Sequence, residues 1–254
     1  MKYWLALLVM LPVNAGAGAW LQAEDQGEVM LTSGYYFAHN FFDNKGDRGD
    51  MPLYSKYETS PYAEYGLTED ITIGGGLALK RTGDDDINEY GADDFSVFVR
   101  SYLYKGSIYE GDSFVISAQP GLYLPVKLKG EINQQSGLSP SMKFNFGYAY
   151  DDYFAEFILG YEYWEGIDSD RITTQSTIAY DFAEDFTYMA QLFTTNIMSD
   201  NYSHNGNYDL TKIQSSLLWR YDENITHQLG LSYDVSGKNT GAGYGFLYSV
   251  WYKF

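Results

Sequence analysis

The chain has 254 residues, a net charge of −18, no cysteine, and 18% aromatic residues that include 26 tyrosines. The lack of cysteine excludes disulfide-stapled scaffolds, thiolate chemistry and cysteine-ligated zinc. The strong acidity argues against nucleic acid as a partner, and the length fits one domain or one barrel.

The N-terminus predicts export. One lysine follows Met1, an apolar stretch runs from Tyr3 to Val13, and the small residues Ala17-Gly18-Ala19 come after it. This is the layout of a secretory signal peptide, and the apolar stretch is too short to span a membrane. We therefore expect a signal peptide over residues 1–19, cleaved after Ala19, and a single domain over residues 20–254.

Segments of alternating apolar and polar residues recur along the chain after Trp20. A period of two residues is typical of strands that place one face against an apolar medium. We predict twelve strands, near residues 27–40, 53–67, 71–83, 94–105, 112–126, 140–150, 153–165, 171–183, 186–198, 208–222, 225–236 and 242–254.

The connections between the predicted strands alternate in length. Every second connection is short, as at Asp151-Asp152 and Glu184-Asp185, and such residues suit tight turns. The others, such as 41–52 and 127–139, are mostly longer. Short periplasmic turns, longer external loops and an even strand number are typical of bacterial outer-membrane barrels. The sequence thus predicts an all-β, antiparallel up-and-down transmembrane β-barrel of about twelve strands, monomeric, with both termini periplasmic.

The last predicted strand ends on an aromatic residue. Every second residue from Tyr244 to Phe254 is apolar, so the strand has one continuous apolar face. Lipid offers no hydrogen-bond partner to an open sheet edge, and we therefore expect this strand to close the barrel. The alternating tail with a terminal Phe also resembles the signature by which the outer-membrane assembly machinery recognises its clients. That machinery, outer-membrane lipid and lipopolysaccharide are the expected partners.

Alternation also assigns the two faces of each strand. The charge-free face should meet lipid, because Arg or Lys at the bilayer midplane costs about 2–4 kcal/mol. The other face places eight basic and six acidic side chains inside: Lys56, Lys80, Arg100, Lys143, Arg171, Lys212, Arg220, Lys253, Glu58, Glu64, Glu156, Glu162, Asp181 and Asp234. The same parity places aromatic side chains inside, namely Tyr36, Tyr62, Tyr102, Tyr104, Tyr123, Trp164 and Trp251.

The candidate pore lining comprises Lys80, Arg100, Lys143, Glu156, Glu162, Arg171, Lys212 and Arg220. We predict weak anion preference from the basic members near mid-strand: Lys80, Arg100, Lys143, Lys212 and Arg220. A twelve-stranded barrel lies between filled eight-stranded barrels and open porins. The residues therefore leave two interpretations open, a passage for small anionic, aromatic or sugar-like solutes and a lumen filled by paired charges.

An acidic stretch between Thr82 and Val99 contains six acids and no base. Asp84, Asp86 and Asn88 match alternate ligand positions of an EF-hand, but Glu89 stands where that motif requires Gly. We interpret the stretch as a solvated loop, with loose divalent-cation bridging to lipopolysaccharide as the alternative. No cofactor is predicted.

The candidates for a catalytic histidine are His39, His204 and His227. None has a serine two residues away, the spacing found in the outer-membrane phospholipase. No G-x-S-x-G elbow, Walker loop or H-E-x-x-H motif is present. We predict that the protein is not an enzyme.

Two segments carry a family resemblance. GAWLQAEDQGEVMLTSGYYFAHNFFD (residues 18–43) and SKYETSPYAEYGLTEDITIGGGLAL (55–79) resemble small outer-membrane barrels labelled phenol meta-pathway transporter-like, some of which occur beside exopolysaccharide genes. The resemblance implies a role in transport or in the envelope and carries over no binding residue. The predicted function is an outer-membrane channel for small solutes. A non-conducting structural or exopolysaccharide-associated barrel is the alternative, and a hydrolase is the least favoured.

Overall fold

The structure is a computed structural model that describes residues 18–83, 88–92, 95–124, 126, 138–164, 169–198 and 207–254. Among these residues no helix is long and apolar enough to cross a membrane. The strands are β1 (Gly27–Phe42), β2 (Arg48–Thr68), β3 (Ile71–Gly76), β4 (Leu79–Gly83), β5 (Asn88–Ala92), β6 (Phe95–Gly106), β7 (Asp112–Leu124), β8 (Ser139–Tyr150), β9 (Tyr153–Glu162), β10 (Arg171–Ala183), β11 (Phe186–Ile197), β12 (Asp209–Arg220), β13 (Ile225–Lys238) and β14 (Thr240–Lys253).

The fourteen segments occupy twelve positions in a closed antiparallel barrel. β3 and β4 keep one register against β2, with Gly76 opposite Tyr62 and Leu79 opposite Thr59. Between them the Leu77 N–H donates to the Pro61 carbonyl at 3.1 Å, but Pro61 has no N–H to return the bond. β6 pairs with β3, and β5 pairs with β4. The predicted barrel of about twelve strands is confirmed.

The two ends of the barrel sheet meet at β1 and β14. The Gly27 N–H donates to the Phe254 carbonyl at 2.8 Å, and the Phe254 N–H donates to the Gly27 carbonyl at 3.0 Å. Since β1 also pairs with β2, the first and last strands of the barrel are joined and β14 is the closing strand. Both ends lie at the rim that carries the β2–β3, β6–β7, β8–β9, β10–β11 and β12–β13 connections, called here the short-turn rim. The opposite end is the long-loop rim.

The inside of the barrel is polar and its outside is apolar. In β9 the outward side chains Phe157, Leu159 and Tyr161 are exposed, whereas the inward Glu156 and Glu162 are buried. This inverts the usual pattern of a soluble protein. It is the arrangement that a barrel surrounded by lipid requires.

One inward assignment is wrong. A β-bulge lies between Tyr102 and Tyr104, so that Tyr104 pairs with Ile116 and Leu103 is the extra residue. Tyr104 is 48% exposed, and its ring lies 5.9 Å from that of Phe114. A bulge adds one residue to one strand, so side chains beyond it change face and the alternation seen in the sequence no longer predicts the side.

The first connection at the long-loop rim is a tight turn. The Asp43 carboxylate accepts backbone N–H bonds from Lys45 at 2.8 Å and Asp47 at 2.9 Å. These bonds, that from Lys45 foremost, hold the pKa of the Asp43 carboxyl below its usual value. The Asp43 carbonyl accepts the Asn239 N–H at 3.0 Å. The β1–β2 connection is therefore hydrogen-bonded to the β13–β14 connection.

Candidate functional site

The lumen is lined by charge. Among the described residues, ten charged side chains are at most 6% exposed: Glu28, Lys56, Glu64, Lys80, Arg100, Glu156, Glu162, Arg171, Lys212 and Asp234. A closed barrel with an apolar outer face can bury them only on its inside. Burial of so much charge requires partners or water.

A group of lysines lies in the half of the lumen nearer the long-loop rim. This lysine cluster consists of Lys56, Glu58, Lys80, Lys212 and Asp234. Lys56 Nζ lies 2.8 Å from Glu58 Oε2, and Lys212 Nζ lies 3.9 Å from Asp234 Oδ1. Lys80 stands opposite Glu58 in the β2–β4 register, and all three lysines act electrostatically on Glu58. Among the described residues, three ammonium groups and two carboxylates thus share this cluster.

An arginine held between rings lies in the same half. The Arg171 guanidinium lies 4.8 Å from the Trp164 ring centroid and 5.4 Å from that of Tyr208. Tyr123 stacks on Trp164 at 5.6 Å and donates its hydroxyl to Glu162 Oε1 at 3.0 Å. Cation–π contacts of this kind strengthen when water is excluded. They fix the position of Arg171 near the long-loop rim.

Residues 18–26, the N-terminal segment, enter the lumen from the short-turn rim. Ala19 is fully buried, and the Trp20 ring lies 4.9 Å from that of Phe154. The Leu21 N–H donates to the Tyr102 hydroxyl at 3.0 Å, and the Gln22 N–H donates to Thr72 Oγ1 at 2.9 Å. The segment therefore narrows the lumen at this rim. Its sequence has no strand-like alternation, so sequence reasoning missed it.

Arg100 joins the wall to this segment. Its guanidinium donates to both Glu64 carboxylate oxygens, at 3.0 and 3.2 Å, and to Gln119 Oε1 at 2.9 Å. It also donates to the Trp20 carbonyl at 2.9 Å. The Ala19 N–H donates to Glu156 Oε1. Wall charges and backbone of the N-terminal segment thus form one network.

A layer of amides lines the opposite wall of the lumen, on β11, β12 and β13. Gln214 Nε2 donates to Gln191 Oε1 at 2.9 Å and to Ser216 Oγ at 3.2 Å. Gln228 Nε2 donates to the same Ser216 Oγ at 3.0 Å. These residues were not predicted as site residues, because they carry neither a charge nor an aromatic ring. The two-residue alternation of β11, β12 and β13 would have placed them inside.

The structure locates every predicted lining residue. Lys80, Arg100, Glu156, Glu162, Arg171 and Lys212 are buried in the lumen, and Lys143 is half-buried beside Gly160. Arg220 is not at mid-strand, because β12 ends there. It binds Asp181 at 3.2 Å and the Glu184 carbonyl at 3.0 Å, at the short-turn rim. The role of these residues in conduction stays a prediction.

The weak cation candidates are not placed. Asp84, Asp86 and the side chain of Asn88 lie outside the described residues, as does His204. Within the described part of the chain, no group of three or more His, Asp or Glu residues could hold a metal ion.

His227 lies in an aromatic cluster on the outer face of the barrel. Its ring stacks with that of Trp219 at 5.5 Å, and its Nδ1 lies 2.8 Å from the Tyr248 hydroxyl. Such a setting is typical of the interfacial aromatic belt of membrane barrels.

Comparison with known proteins shows likeness in structure alone. No family model and no curated relative matches the chain. The COG4313 outer membrane channel from Pseudomonas putida F1 aligns over 93% of this chain and 98% of its own, with a TM-score of 0.72 at 11% identity. The NanC porin aligns over 89% and 100%, with a TM-score of 0.57 at 13% identity. The chain thus has the fold of outer-membrane channel and porin barrels.

Proposed function

We propose that the protein is an outer-membrane channel for small solutes, whose passage the N-terminal segment narrows at the short-turn rim. The observation that carries this is a surplus of positive charge in the half of the lumen nearer the long-loop rim. Among the described residues of that half, five basic side chains, Lys56, Lys80, Lys143, Arg171 and Lys212, lie with three acidic ones, Glu58, Glu162 and Asp234. Burying so many charged groups is costly without partners, water or a solute, and a water-filled passage supplies the last two.

The same surplus supports weak anion preference. Positive potential in a narrow, low-dielectric passage raises the local concentration of anions. In the half nearer the short-turn rim, Arg100 faces Glu64 and Glu156, which offsets the effect. We therefore place the preference in the lysine cluster and expect solutes that carry a carboxylate or a similar anion to pass most readily.

The envelope setting belongs to the same proposal. Export by a signal peptide over residues 1–19, cleaved after Ala19, would place the N-terminus and with it the short-turn rim in the periplasm. The outer face would meet lipid and lipopolysaccharide, and β14 would be presented to the assembly machinery. The apolar outer face and the meeting of both barrel ends at one rim support this orientation.

A second candidate is a non-conducting envelope barrel. It is favoured by the N-terminal segment, which occupies the lumen beside Arg100, and by the paired charges there. A hydrolase is the least favoured, because His227 binds Tyr248 within an aromatic cluster and the fold matches channels and porins.

Single-channel recording in planar bilayers separates the two candidates. The mature protein would be extracted from membranes in detergent and checked for heat-modifiable migration on a gel. We expect discrete conductance steps and a reversal potential on the chloride side in a KCl gradient. The matched variant lacks Trp20–Glu24, so that the lumen is no longer narrowed at the short-turn rim. Silence from both proteins would select the non-conducting barrel.

A further inference from the structure

Glu156 lies where the N-terminal segment ends inside the barrel. It belongs to β9 and is 4% exposed. Its Oε1 accepts the Ala19 N–H, and a Cβ built on Gly18 would lie 3.3 Å from the same oxygen. Two consecutive residues of the segment therefore lie against one buried carboxylate.

The charges around Glu156 do not balance. Among the described residues, the charged groups that act on it are Arg100 and Glu64. Arg100 is already bound through two hydrogen bonds to Glu64. Two carboxylates thus share one guanidinium, and a buried carboxylate without a compensating cation is strongly destabilising. Either a further cation binds here or Glu156 takes up a proton.

Cleavage of the signal peptide would create such a cation at this place. Two motifs of the small-x-small type lie at the end of the predicted signal peptide, Ala15-Gly16-Ala17 and Ala17-Gly18-Ala19. Each suits cleavage by signal peptidase. Hydrolysis of the bond after either motif consumes one water and leaves a carboxylate on the released peptide. The mature chain keeps an ammonium group, on Gly18 or on Trp20. Both positions are next to Ala19, whose N–H already reaches Glu156.

We propose that Glu156 is the binding site for the α-ammonium group of the processed chain. The ammonium supplies the missing positive charge and, like that of lysine, three donors. The uncleaved precursor offers only a neutral N–H at this point. Insertion of the N-terminal segment is therefore completed by processing. This inference rests on the export and cleavage in the proposed function, but not on conduction.

The test measures how well the α-amine is protected from acylation. The full-length precursor is expressed in a Gram-negative host, and the mature protein is extracted from membranes and checked by heat-modifiable migration. Intact mass identifies its first residue. The protein is then treated with an N-hydroxysuccinimide ester of acetate, and the N-terminal peptide is followed by mass spectrometry. The exposed Lys45 serves as the internal reference for reactivity.

We expect the wild-type α-amine to react about tenfold more slowly than that of Glu156→Gln, which corresponds to about 1.4 kcal/mol of protection. Glu162→Gln is the matched control, because Glu162 is buried on the same face of the same strand. It should react at the wild-type rate. Glu156→Asp keeps the charge but shortens the reach, and it should be protected in part.

Equal acylation rates of the α-amine in wild type and in Glu156→Gln would overturn the inference. Packing alone, or a protonated Glu156, would then account for the contact between Glu156 and the N-terminal segment. A mature chain that begins beyond Trp20 would also overturn it. A membrane-inserted chain of uncleaved mass would instead count against the proposed export. If Glu156→Gln fails to fold, Glu156→Asp decides the question. A Glu156→Asp protein whose α-amine is as well protected as that of wild type contradicts the proposal.

Discussion

Arg100 and Glu64 form a two-pronged ion pair inside the barrel, in which Nη1 and Nη2 of the guanidinium donate to the two carboxylate oxygens at 3.0 and 3.2 Å. Each side chain is 2% exposed. Because Arg100 also donates to the Trp20 carbonyl, the pair fixes the N-terminal segment as well as two strands. A charge pair of the wall thus supports the narrowing of the lumen.

Removing Arg100 should destabilise the barrel strongly. Arg100→Met leaves Glu64 buried without its cation, and we expect a loss of about 3–5 kcal/mol in the free energy of unfolding. Denaturant unfolding in detergent micelles measures it. The double variant Arg100→Met with Glu64→Gln should recover part of the loss, because no uncompensated charge remains at that position.

The matched control for Arg100 is Lys105→Met, on the same strand but exposed. Exposed charges contribute roughly 0–1 kcal/mol, so this variant should unfold close to wild type. A cost for Arg100→Met within that same range would show that the ion pair does not hold the wall together.

Gly66→Ala should displace the N-terminal segment. A Cβ on Gly66 would lie 2.1 Å from the Ala23 carbonyl oxygen and 2.7 Å from that of Gln22, so the segment has to move. We expect larger single-channel conductance. Gly34→Ala is the control, since the nearest atom to its Cβ, the Phe246 carbonyl oxygen, is at 3.5 Å. Wild-type conductance from a folded Gly66→Ala barrel would mean that the segment does not limit the passage.

Neutralising the lysine cluster should reduce anion preference. Arg100 is an unsuitable probe because it binds Glu64, and Arg220 lies at the rim. We expect Lys80→Gln and Lys212→Gln each to lower the chloride-to-potassium permeability ratio about twofold, a modest change because salt screens part of the field. Reversal potentials in a KCl gradient measure the ratio.

The control for charge in the lumen is Lys45→Gln, which removes a lysine from the exposed first connection. It should leave the permeability ratio unchanged. Cation preference in the wild type that neither lumen substitution alters would contradict the assignment of selectivity to the lysine cluster.

Deleting Phe254 should weaken closure of the barrel. The residue exchanges two backbone hydrogen bonds with Gly27, each worth about 0.5–1.5 kcal/mol. We expect a lower melting temperature and a smaller heat-modifiable fraction on a gel. Phe254→Ala keeps the backbone bonds and loses only the ring, so it separates the two contributions. Equal stability of the deletion and wild type would show that the remaining pairs between β1 and β14 close the barrel without the terminal one.

The strand pattern and its two faces were predictable from the sequence. The alternation that places Lys80, Lys212 and Glu162 inside is a local property, because successive side chains of a strand point to opposite sides. Barrel closure followed from the lack of any partner for an open edge in lipid. Because it is local, the alternation failed at Tyr104, where one extra residue in β6 shifts the parity.

The position of the N-terminal segment inside the lumen is set only by the tertiary structure. Its contacts come from far along the chain: Ala19 and Glu156 are 137 residues apart, and Trp20 and Arg100 are 80 apart. No pattern in residues 18–26 predicts these contacts, because the segment has no alternation of apolar and polar residues and these partners lie on the barrel wall. Outside the bulge in β6, the sequence by itself determined which side chains face inward. Which charges meet there, and what remains to balance Glu156, depends on the closure that brings distant strands around one lumen.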